Sequence, residues 1–424
     1  MSAVGKKLHL MNTKNLKNLK MNEVYNYNKY LAYEKGKLQI EKISLDKVMK
    51  KFDSPLFCYS VNQIRDNFYN LRDSFKKIKP FICYAVKANF NEKILKVISD
   101  LGLGADIVSV GEFKKTLKSG IRSNKTVFSG VGKTEYEIKF ALKRNIKQIN
   151  VESEEELKEI EIQSKILKKR PNISLRLNPN VDAKTHDKIS TGRLEDKFGI
   201  NEEKVISIFK KYKNNKNINV NGISVHIGSQ ICKLQPFKNA FKKLRDLVLL
   251  LRRQNIFIAT LDLGGGIGIV YNKKKDKIFK ISEYAKLIEK YFADLGLEII
   301  LEPGRFLVGA SGILISKVIR NKKGKKKDFL IIDAGMNNLI RPSLYSAYHK
   351  ILAAKLSNYK KKYEIVGPIC ESSDIFEKNL KISKLNKDDF LVICTVGAYG
   401  SSMASNYNLR VPAQEILIDG TKIL

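Results

Sequence analysis

The chain has 424 residues, of which 43% are hydrophobic, and it carries a formal net charge of +36 at pH 7. This length allows a large core and more than one domain, and no apolar run approaches the roughly 18 residues of a membrane-spanning helix. The lysines are spread along the whole chain among Asn and Ile residues, which favours solvated faces over a nucleic-acid-binding stripe or a membrane-binding surface.

Cysteine and histidine usage argues against metal and disulfide sites. The five cysteines form no CxxC pair, and the four histidines form no HxxxH or HExxH pair. We therefore predict no metal site and no disulfide framework. The Lys- and Asn-rich N-terminal segment lacks the apolar core of a secretory signal, so we expect a cytoplasmic protein whose residues 1–28 are a basic, flexible extension.

The chain then alternates short apolar runs with amphipathic stretches of helical periodicity. The predicted strands of this region are residues 81–87, 104–109, 125–129, 148–152, 174–178, 222–227, 258–263 and 298–302. Strands that alternate with helices are typical of parallel βαβ units. Eight such units predict an α/β fold, a (β/α)8 TIM-like barrel, which we place at residues 55–310.

After residue 310 the pattern changes to strands with mostly short connections. Runs such as GILISKVIR (312–320) and DFLVICTVG (389–397) are rich in β-forming residues. They predict a C-terminal β domain over residues 311–424. The alternating residues of the segment 29–54 predict N-terminal strands that join and complete this β domain.

Unusual residues follow the predicted barrel strands, where the functional residues of such barrels gather. They are Lys87, Asp106, His226, Ser229, the run DLGGGIG (262–268) and the run EPGR (302–305). Each has a structural interpretation when taken alone, because a lone histidine often fills a core and glycine clusters often mark turns. The glycine run also lacks the full GxGxxG spacing of a dinucleotide site.

Lys87 directly follows an apolar strand, where an ammonium group is costly to bury. A partly desolvated lysine has a lowered pKa and can form a Schiff base, although an ion-paired structural lysine fits the same stretch. Three glycines after a strand can present backbone N–H groups to a phosphate, and Arg305 adds a planar guanidinium group. Together these features predict pyridoxal 5′-phosphate as the cofactor.

Several longer motifs resemble the diaminopimelate decarboxylases, in the alanine-racemase-like (fold type III) group of pyridoxal-phosphate enzymes. The motifs are YAVKAN (84–89), GADIVSVGE (104–112), NPNVDAKTHDKISTG (178–192), KFGI (197–200), GISVHIGSQ (222–230), LDLGGGIGIVY (261–271), EPGRFLV (302–308), IDAGMNNLIRPSLYSAYHKI (332–351), VGPICESSDIF (366–376) and GAYGSSMASNYNLR (397–410). The fold of that family, a barrel plus a C-terminal β domain, agrees with the pattern of strands.

The resemblance implies a cofactor role for each matching residue. Lys87 would attach the cofactor, His226 would stack on its ring, and Glu302 would pair with its pyridine nitrogen. The other cofactor-binding residues would be Asp106, Ser229, Gly265, Gly266, Gly304, Arg305 and Tyr399. An acidic residue at position 302 keeps the pyridine nitrogen protonated, which favours decarboxylation over racemisation.

The resemblance also implies the substrate-binding residues and the partner. The substrate-binding residues would be Arg305, Arg341, Tyr345, Glu371 and Tyr399, and Cys370 would be the catalytic proton donor beside the catalytic Lys87. In relatives the Cys-Glu pair reaches the site from the second subunit, which implies a homodimer with its active site at the interface.

The implied reaction is the decarboxylation of meso-2,6-diaminopimelate to L-lysine and CO2, the last step of lysine biosynthesis. A related decarboxylase of ornithine, arginine or carboxynorspermidine remains an alternative. Two further alternatives are a non-catalytic homologue that binds pyridoxal phosphate and, because of the charge, a nucleic-acid binder. The intact Cys370–Glu371 pair argues against a non-catalytic homologue.

Overall fold

A computed structural model of the chain describes residue 24 and residues 27–183, 191–193 and 195–424. Most of the predicted extension over residues 1–28 and the central part of the 178–192 motif lie outside the described residues. The chain forms two compact units. The barrel unit comprises Arg65–Ile269 and Lys277–Leu307, and the second unit comprises the residues up to Ile64 together with Val270–Asp276 and Val308–Leu424.

The strands and α-helices of the described residues are numbered here in chain order. The strands are β1 Leu31–Glu34, β2 Lys37–Ile40, β3 Ile43–Ser44, β4 Leu56–Ser60, β5 Phe81–Ala85, β6 Gly104–Ile107, β7 Thr126–Phe128, β8 Gln148–Val151, β9 Asn172–Arg176, β10 Asn219–Ser224, β11 Thr260–Asp262, β12 Glu298–Leu301, β13 Gly312–Lys323, β14 Asp328–Ile332, β15 Ile351–Ala353, β16 Lys360–Val366, β17 Ile375–Ser383, β18 Phe390–Cys394, β19 Gln414–Asp419 and β20 Lys422–Ile423. The helices are α1 Leu45–Met49, α2 Val61–Asp73, α3 Glu92–Asp100, α4 Val110–Lys118, α5 Glu135–Lys143, α6 Glu154–Leu167, α7 Glu202–Tyr212, α8 Leu234–Arg253, α9 Ile281–Phe292, α10 Arg305–Val308 and α11 Arg341–Tyr345.

The barrel unit is a closed parallel barrel of eight strands in the order β10-β11-β12-β5-β6-β7-β8-β9. The pairing of β12 with β5 brings Ile300 opposite Phe81, and the pairing of β9 with β10 closes the ring. Each of the eight predicted strands is present, shortened or shifted by a few residues. Strands covered by helices outside and by side chains inside are buried on both faces, which explains their near-continuous apolar runs.

Amphipathic helices cover the barrel strands. Helix α8 buries Phe237, Phe241 and Leu244 on one stripe while its lysines and arginines face outward, as the 3.6-residue period requires. Several helices begin at a serine or threonine cap. Ser109, for example, accepts the Glu112 N–H of α4 at 3.2 Å, so this polar residue near the end of β6 is a helix cap.

The second unit is built on a nine-stranded sheet. Its main path is β17-β16-β14-β13-β4-β19-β20, and β18 pairs with both β13 and β15. Strand β4 lies in this sheet, antiparallel to β13 and parallel to β19, although the sequence pattern placed residues 55–310 in the barrel. A buried strand followed by a helix has the pattern of a barrel βα unit, and only its distant pairing partners reveal the other sheet.

The early strands β1, β2 and β3 form a separate three-stranded sheet. Its buried residues Leu31, Leu38 and Ile40 share one hydrophobic core with Ile313 and Cys394 of the large sheet. The N-terminal strands therefore contribute to the β-rich unit through packing more than through sheet pairing. The observed architecture confirms the predicted class, a TIM-like barrel plus a β domain. The described residues contain no helix that is both long and apolar enough to cross a membrane.

Candidate active site

Lys87 lies in the short 3-10 turn Val86–Ala88, directly after β5. Its Nζ donates to Asp106 Oδ2 at 2.7 Å, and its side chain keeps 35% of its surface exposed while that of Asp106 is fully buried. The buried carboxylate stabilises the ammonium group at this strand end, which offsets the desolvation cost. The ion pair expected of a structural lysine is therefore present, and the Lys87 side chain is still partly exposed.

Glu302 follows β12 and is buried among polar side chains. Its Oε1 accepts from Ser129 Oγ at 3.3 Å and from Asn150 Nδ2 at 3.4 Å. Burial, and then the nearby Asp106 and Asp262 carboxylates, raise the pKa of Glu302 well above its usual range. Burial and the neighbouring carboxylates therefore favour the protonated form of Glu302, which can donate a hydrogen bond.

His226 follows β10 and is half-buried. Its Nδ1 accepts the backbone N–H of Gly265 at 3.2 Å, so the ring's own proton must sit on Nε2. Burial, followed by the positive charges of Arg176 and Lys87, lowers the pKa of His226 well below its usual range. The imidazole is thus a neutral ring with a fixed tautomer.

The glycine run after β11 packs tightly against neighbouring strand ends. A Cβ atom on Gly265 would collide with the carbonyl oxygen of Glu302, and one on Gly266 would collide with that of Gly228. Gly266 also has a φ of +85°, in the left-handed region that favours glycine. Side chains at these positions would force the neighbouring backbone to shift.

Arg305 and Ser229 meet beside this turn. Arg305 is buried, and its Nη2 donates to Ser229 Oγ at 3.0 Å. Gly304, immediately before Arg305, packs against the β5 end, since a Cβ there would lie 3.0 Å from those of Ala85 and Ala88. A guanidinium, a hydroxyl and a glycine turn at the strand ends form a donor set for a phosphate or a carboxylate.

The barrel unit therefore holds nine of the predicted site residues. They are Lys87, Asp106, His226, Ser229, Gly265, Gly266, Glu302, Gly304 and Arg305. The contacts described above link them in pairs at the carboxyl ends of β5, β6, β10, β11 and β12. The remaining predicted residues, Arg341, Tyr345, Cys370, Glu371 and Tyr399, lie in the second unit.

Arg341 and Tyr345 are four residues apart on α11. Arg341 is buried, with its Nη1 at 3.0 Å from His349 Nε2 and its Cζ at 4.6 Å from the centre of the Tyr271 ring. His349 Nδ1 in turn lies 3.0 Å from the Cys394 carbonyl oxygen. Because that carbonyl is an acceptor, Nδ1 carries the ring proton and Nε2 accepts from the guanidinium. These contacts fix the orientation of Arg341.

Cys370 and Glu371 are both exposed, yet polar contacts hold them in place. The Cys370 N–H donates to Asn408 Oδ1 at 3.2 Å, and Ser373 Oγ donates to Glu371 Oε2 at 2.8 Å. Hydrogen bonds from Tyr407 and Ser373 hold the pKa of Glu371 below its usual range. Glu371 is therefore an oriented carboxylate at neutral pH. Tyr399 is half-buried in this unit and has a φ of +56°.

Sequence reasoning missed several buried polar residues of the barrel interior. Asp262 is fully buried and accepts from Asn150 Nδ2 at 2.9 Å, and Ser129 Oγ accepts from the same nitrogen at 3.1 Å. A usable signal was present, because Gln148, Asn150 and Glu152 alternate with apolar residues along one strand. A period of two in a buried barrel strand places such polar residues in the interior.

A second ion pair was also missed. Arg176 and Glu152 pair as buried side chains at the ends of β9 and β8. Glu152 Oε2 also accepts the Gly199 N–H at 2.8 Å, and the Arg176 guanidinium lies 4.8 Å from the centre of the Phe198 ring. The pair therefore anchors the KFGI segment near the barrel end, and it places a positive charge next to His226.

Comparisons with known proteins agree with this geometry. The family model described as "Pyridoxal-dependent decarboxylase, pyridoxal binding domain" matches residues 61–309. A diaminopimelate decarboxylase of Aquifex aeolicus is 41% identical over 94% of this chain and 94% of its own length. A crystal structure of diaminopimelate decarboxylase from Helicobacter pylori complexed with L-lysine is 42% identical, with a TM-score of 0.86 over 90% of this chain and 95% of that one. The diaminopimelate decarboxylase of M. jannaschii in complex with L-lysine is 36% identical, with a TM-score of 0.89 over 94% of each chain.

Proposed function

Because the chain belongs to the diaminopimelate decarboxylase family of pyridoxal-dependent decarboxylases, we propose that it converts meso-2,6-diaminopimelate to L-lysine and CO2. The single observation that carries this proposal is Lys87. Its amine is held by a buried carboxylate at the end of a barrel strand, and its side chain is partly exposed. The relatives' names supply the substrate, and the barrel residues supply the chemistry.

The residues at the barrel end fit pyridoxal 5′-phosphate. This cofactor supplies an aldehyde that joins amines and a ring that withdraws electrons from the bond that breaks. Lys87 would bind the aldehyde carbon, Glu302 the ring nitrogen, and the neutral His226 one face of the ring. The Gly265–Gly266 turn, Gly304 and the Arg305–Ser229 pair would bind the phosphate. Asp106 would keep the Lys87 amine oriented.

The residues of the second unit would bind the substrate and supply a proton to it. Arg341 and Tyr345, fixed on α11, would bind a substrate carboxylate, and Tyr399 and Arg305 would complete this end. The Glu371 carboxylate would bind the distal ammonium group. The carbon that loses CO2 gains one proton, which Cys370 or Lys87 would deliver.

We also propose that two copies of the chain associate, with Cys370 and Glu371 of one copy serving the lysine site of the other. The support is the arrangement of this exposed pair, in which Asn408 holds the Cys370 backbone while Ser373 and Tyr407 hold the Glu371 side chain. Rigid polar groups on an exposed turn are well suited to meet a partner. A cytoplasmic location is proposed as well, since the five cysteines are free thiols.

The test is CO2 release by the purified protein with pyridoxal 5′-phosphate. We expect release from meso-diaminopimelate and little from ornithine, arginine or carboxynorspermidine offered separately. Lys87→Ala should abolish turnover and the cofactor's visible absorption band in the dialysed protein. Release from ornithine alone would replace the proposed substrate, and full turnover by the Lys87→Ala variant would refute the role of this lysine.

A further inference from the structure

Asp262 is a fully buried carboxyl group with no role in the proposed reaction. It ends β11, and its Oδ1 accepts the Gly264 N–H at 3.0 Å while its Oδ2 accepts from Asn150 Nδ2 at 2.9 Å. A buried carboxyl group costs several kcal/mol unless its environment compensates. Its position next to the glycine turn suggests that it acts on the site.

Asn150 connects Asp262 to Glu302. Its Nδ2 lies 2.9 Å from Asp262 Oδ2 and 3.4 Å from Glu302 Oε1, so a single amide group reaches both carboxyl groups. Ser129 Oγ lies 3.1 Å from the same nitrogen and also 3.3 Å from Glu302 Oε1. Asn150 thus contacts both buried carboxyl groups, and Ser129 contacts Asn150 and Glu302.

A chain of donors fixes the direction of this amide. Thr260 Oγ1 donates to Gln148 Oε1 at 2.9 Å, and Gln148 Nε2 donates to Asn150 Oδ1 at 2.8 Å. Asn150 must therefore present its Nδ2 protons, and not its oxygen, to the carboxyl groups. Donors that point at both carboxyl groups stabilise negative charge on the pair. The positive charge of Lys87 also lowers the pKa of Glu302, but among the described residues no lysine or arginine forms a salt bridge with Asp262 or Glu302.

The charges around the pair limit how far it can ionise. Asp106 is a third buried carboxylate here, and Lys87 is already paired with it. Cys83 and Tyr284 are also buried near Asp262, whose negative charge raises the pKa of both groups. Neither group brings a positive charge. Burial raises the pKa of Asp262 to about 6, against hydrogen bonds from Glu302 and Asn150 that lower it. Like charges this close favour one proton on the pair.

We propose that Asp262 is a positioning residue for Glu302: the two carboxyl groups, bridged by Asn150, share one buried proton, and Asp262 holds it on Glu302. When the cofactor binds, Glu302 would pass this proton to the ring nitrogen and become a carboxylate, and the negative charges of Glu302 and Asp262 would stabilise the protonated nitrogen. This inference rests on the proposed function for the identity of the ring.

Asp262→Asn tests the proposal, because it removes the charge while keeping the size of the side chain and an oxygen acceptor for Glu302. In the cofactor-free protein, infrared difference spectra should show a protonated carboxyl at pH 7 that Glu302→Gln removes. As the pH is raised, this band disappears with a titration midpoint. In Asp262→Asn that midpoint should fall by about one pH unit or more, because Glu302 loses a negatively charged neighbour. Asp294→Asn, a surface carboxylate of the same unit paired with Arg245, should leave the midpoint unchanged.

The second readout uses 15N-labelled pyridoxal 5′-phosphate. Its ring nitrogen should have the shift of a protonated pyridine in the wild type and move toward the unprotonated value in Asp262→Asn, with cofactor affinity about tenfold weaker. If Asp262→Asn does not fold, the wild-type infrared spectrum still decides, since an ionised Glu302 at pH 7 would overturn the proposal. An unchanged midpoint and nitrogen shift in a folded variant would also overturn it. Turnover by the wild type is measured separately, so the proposed function can fail independently.

Discussion

At the scale of single residues, burial and neighbouring charges together determine the electrostatics of the candidate site. The Lys87 ammonium group forms an ion pair at 2.7 Å with the fully buried Asp106 carboxylate, which offsets its desolvation cost. His226 is neutral because burial and two nearby cations act in the same direction. Neighbouring charges therefore act differently on two groups at one barrel end: a carboxylate stabilises the Lys87 ammonium group, whereas cations favour the neutral His226 ring.

The residue-scale prediction concerns Tyr407, which donates a hydrogen bond to Glu371. Tyr407→Phe should raise KM for diaminopimelate roughly two- to tenfold and leave kcat nearly unchanged, because the carboxylate that binds the distal ammonium loses an orienting donor. The pKa of Glu371 should rise toward its ordinary value. The carboxylate is then lost at a higher pH, so the acid limb of kcat/KM should move upward.

Tyr359→Phe is the matched control for this change. Tyr359 is another exposed tyrosine of the second unit, and its ring contacts Lys384. Steady-state kinetics across pH on the two variants and the wild type provide the measurement. Equal KM values and equal acid limbs in all three proteins would mean that Tyr407 does not orient Glu371.

At the scale of elements, the chemistry depends on how strand ends continue into turns and helices. The glycine turn after β11 lies directly against the Glu302 backbone, and β6 leads into the Ser109 cap of α4. In the first turn of α4, Glu112 turns back to accept the Val108 N–H at 2.8 Å. At these junctions the backbone conformation determines where the proposed functional groups lie.

The first element-scale prediction concerns the glycine turn. Gly265→Ala should destabilise the protein by about 1 to 3 kcal/mol and weaken cofactor binding, because the added Cβ collides with the Glu302 carbonyl oxygen. Gly132→Ala is the control, since no atom lies within 4 Å of its added Cβ. Denaturant titration and cofactor absorbance measure the two effects. Equal stability of both variants would contradict the close packing of this turn.

The second element-scale prediction is a pH dependence at the β6–α4 junction. Burial raises the pKa of Glu112 from 4.5 to about 7, against a hydrogen bond from Val108 that lowers it. The folded state then binds this proton more tightly than the unfolded state, so the contribution of Glu112 to stability is lost as pH rises from 4.5 to 7. Glu112→Gln should reduce this decrease in the free energy of unfolding with pH by roughly 1 to 3 kcal/mol.

Chemical denaturation at pH 5 and pH 8 measures this dependence in the wild type and in Glu112→Gln. Glu135→Gln, on the neighbouring helix α5, is the control, because Glu135 lies on the exposed surface with Lys139. The control should retain the wild-type difference between the two pH values. A Glu112→Gln variant with the same difference as the wild type would show that Glu112 titrates normally.

At the scale of the whole molecule, each unit has its own core and its own share of the proposed site. The barrel unit contains nine of the residues proposed to bind the cofactor, whereas the second unit contains Arg341, Cys370 and Glu371, which are proposed to act on the substrate. Asn408 accepts the Cys370 N–H. Just after it in the chain, the side chains of Leu409 and Val411 are almost fully exposed. Exposed apolar groups next to functional residues are typical of surfaces that meet a partner.

The molecular-scale prediction tests the proposed dimer by mixing two inactive variants. Lys87→Ala and Cys370→Ala should each be nearly inactive as pure proteins. After unfolding and refolding together in equal amounts, about a quarter of the sites should be intact, because half of the dimers are hybrids with one complete site. Recovered CO2 release measures this. No recovery, with mixed dimers detected by tags, would place both residues in a site served by one chain.

Much of the fold was predictable from local pattern. The eight barrel strands are marked by apolar runs, and Lys87, His226 and Glu302 are marked by following those runs, because side chains beyond parallel strands share one end of a barrel. The membership of β4 was not predictable, since its local sequence fits a barrel strand equally well. Its sheet is decided by pairing with β13 and β19, which lie far along the chain.

The sequence by itself determined which residue types stand at the strand ends and which strands alternate with helices, since both depend on neighbours along the chain. Only the tertiary structure decided that Asn150 meets Asp262, 112 positions away, and that both reach Glu302. The physical reason is that barrel closure brings distant strands within hydrogen-bonding distance. Burial then gives those contacts their effect on protonation, and no local pattern encodes either step.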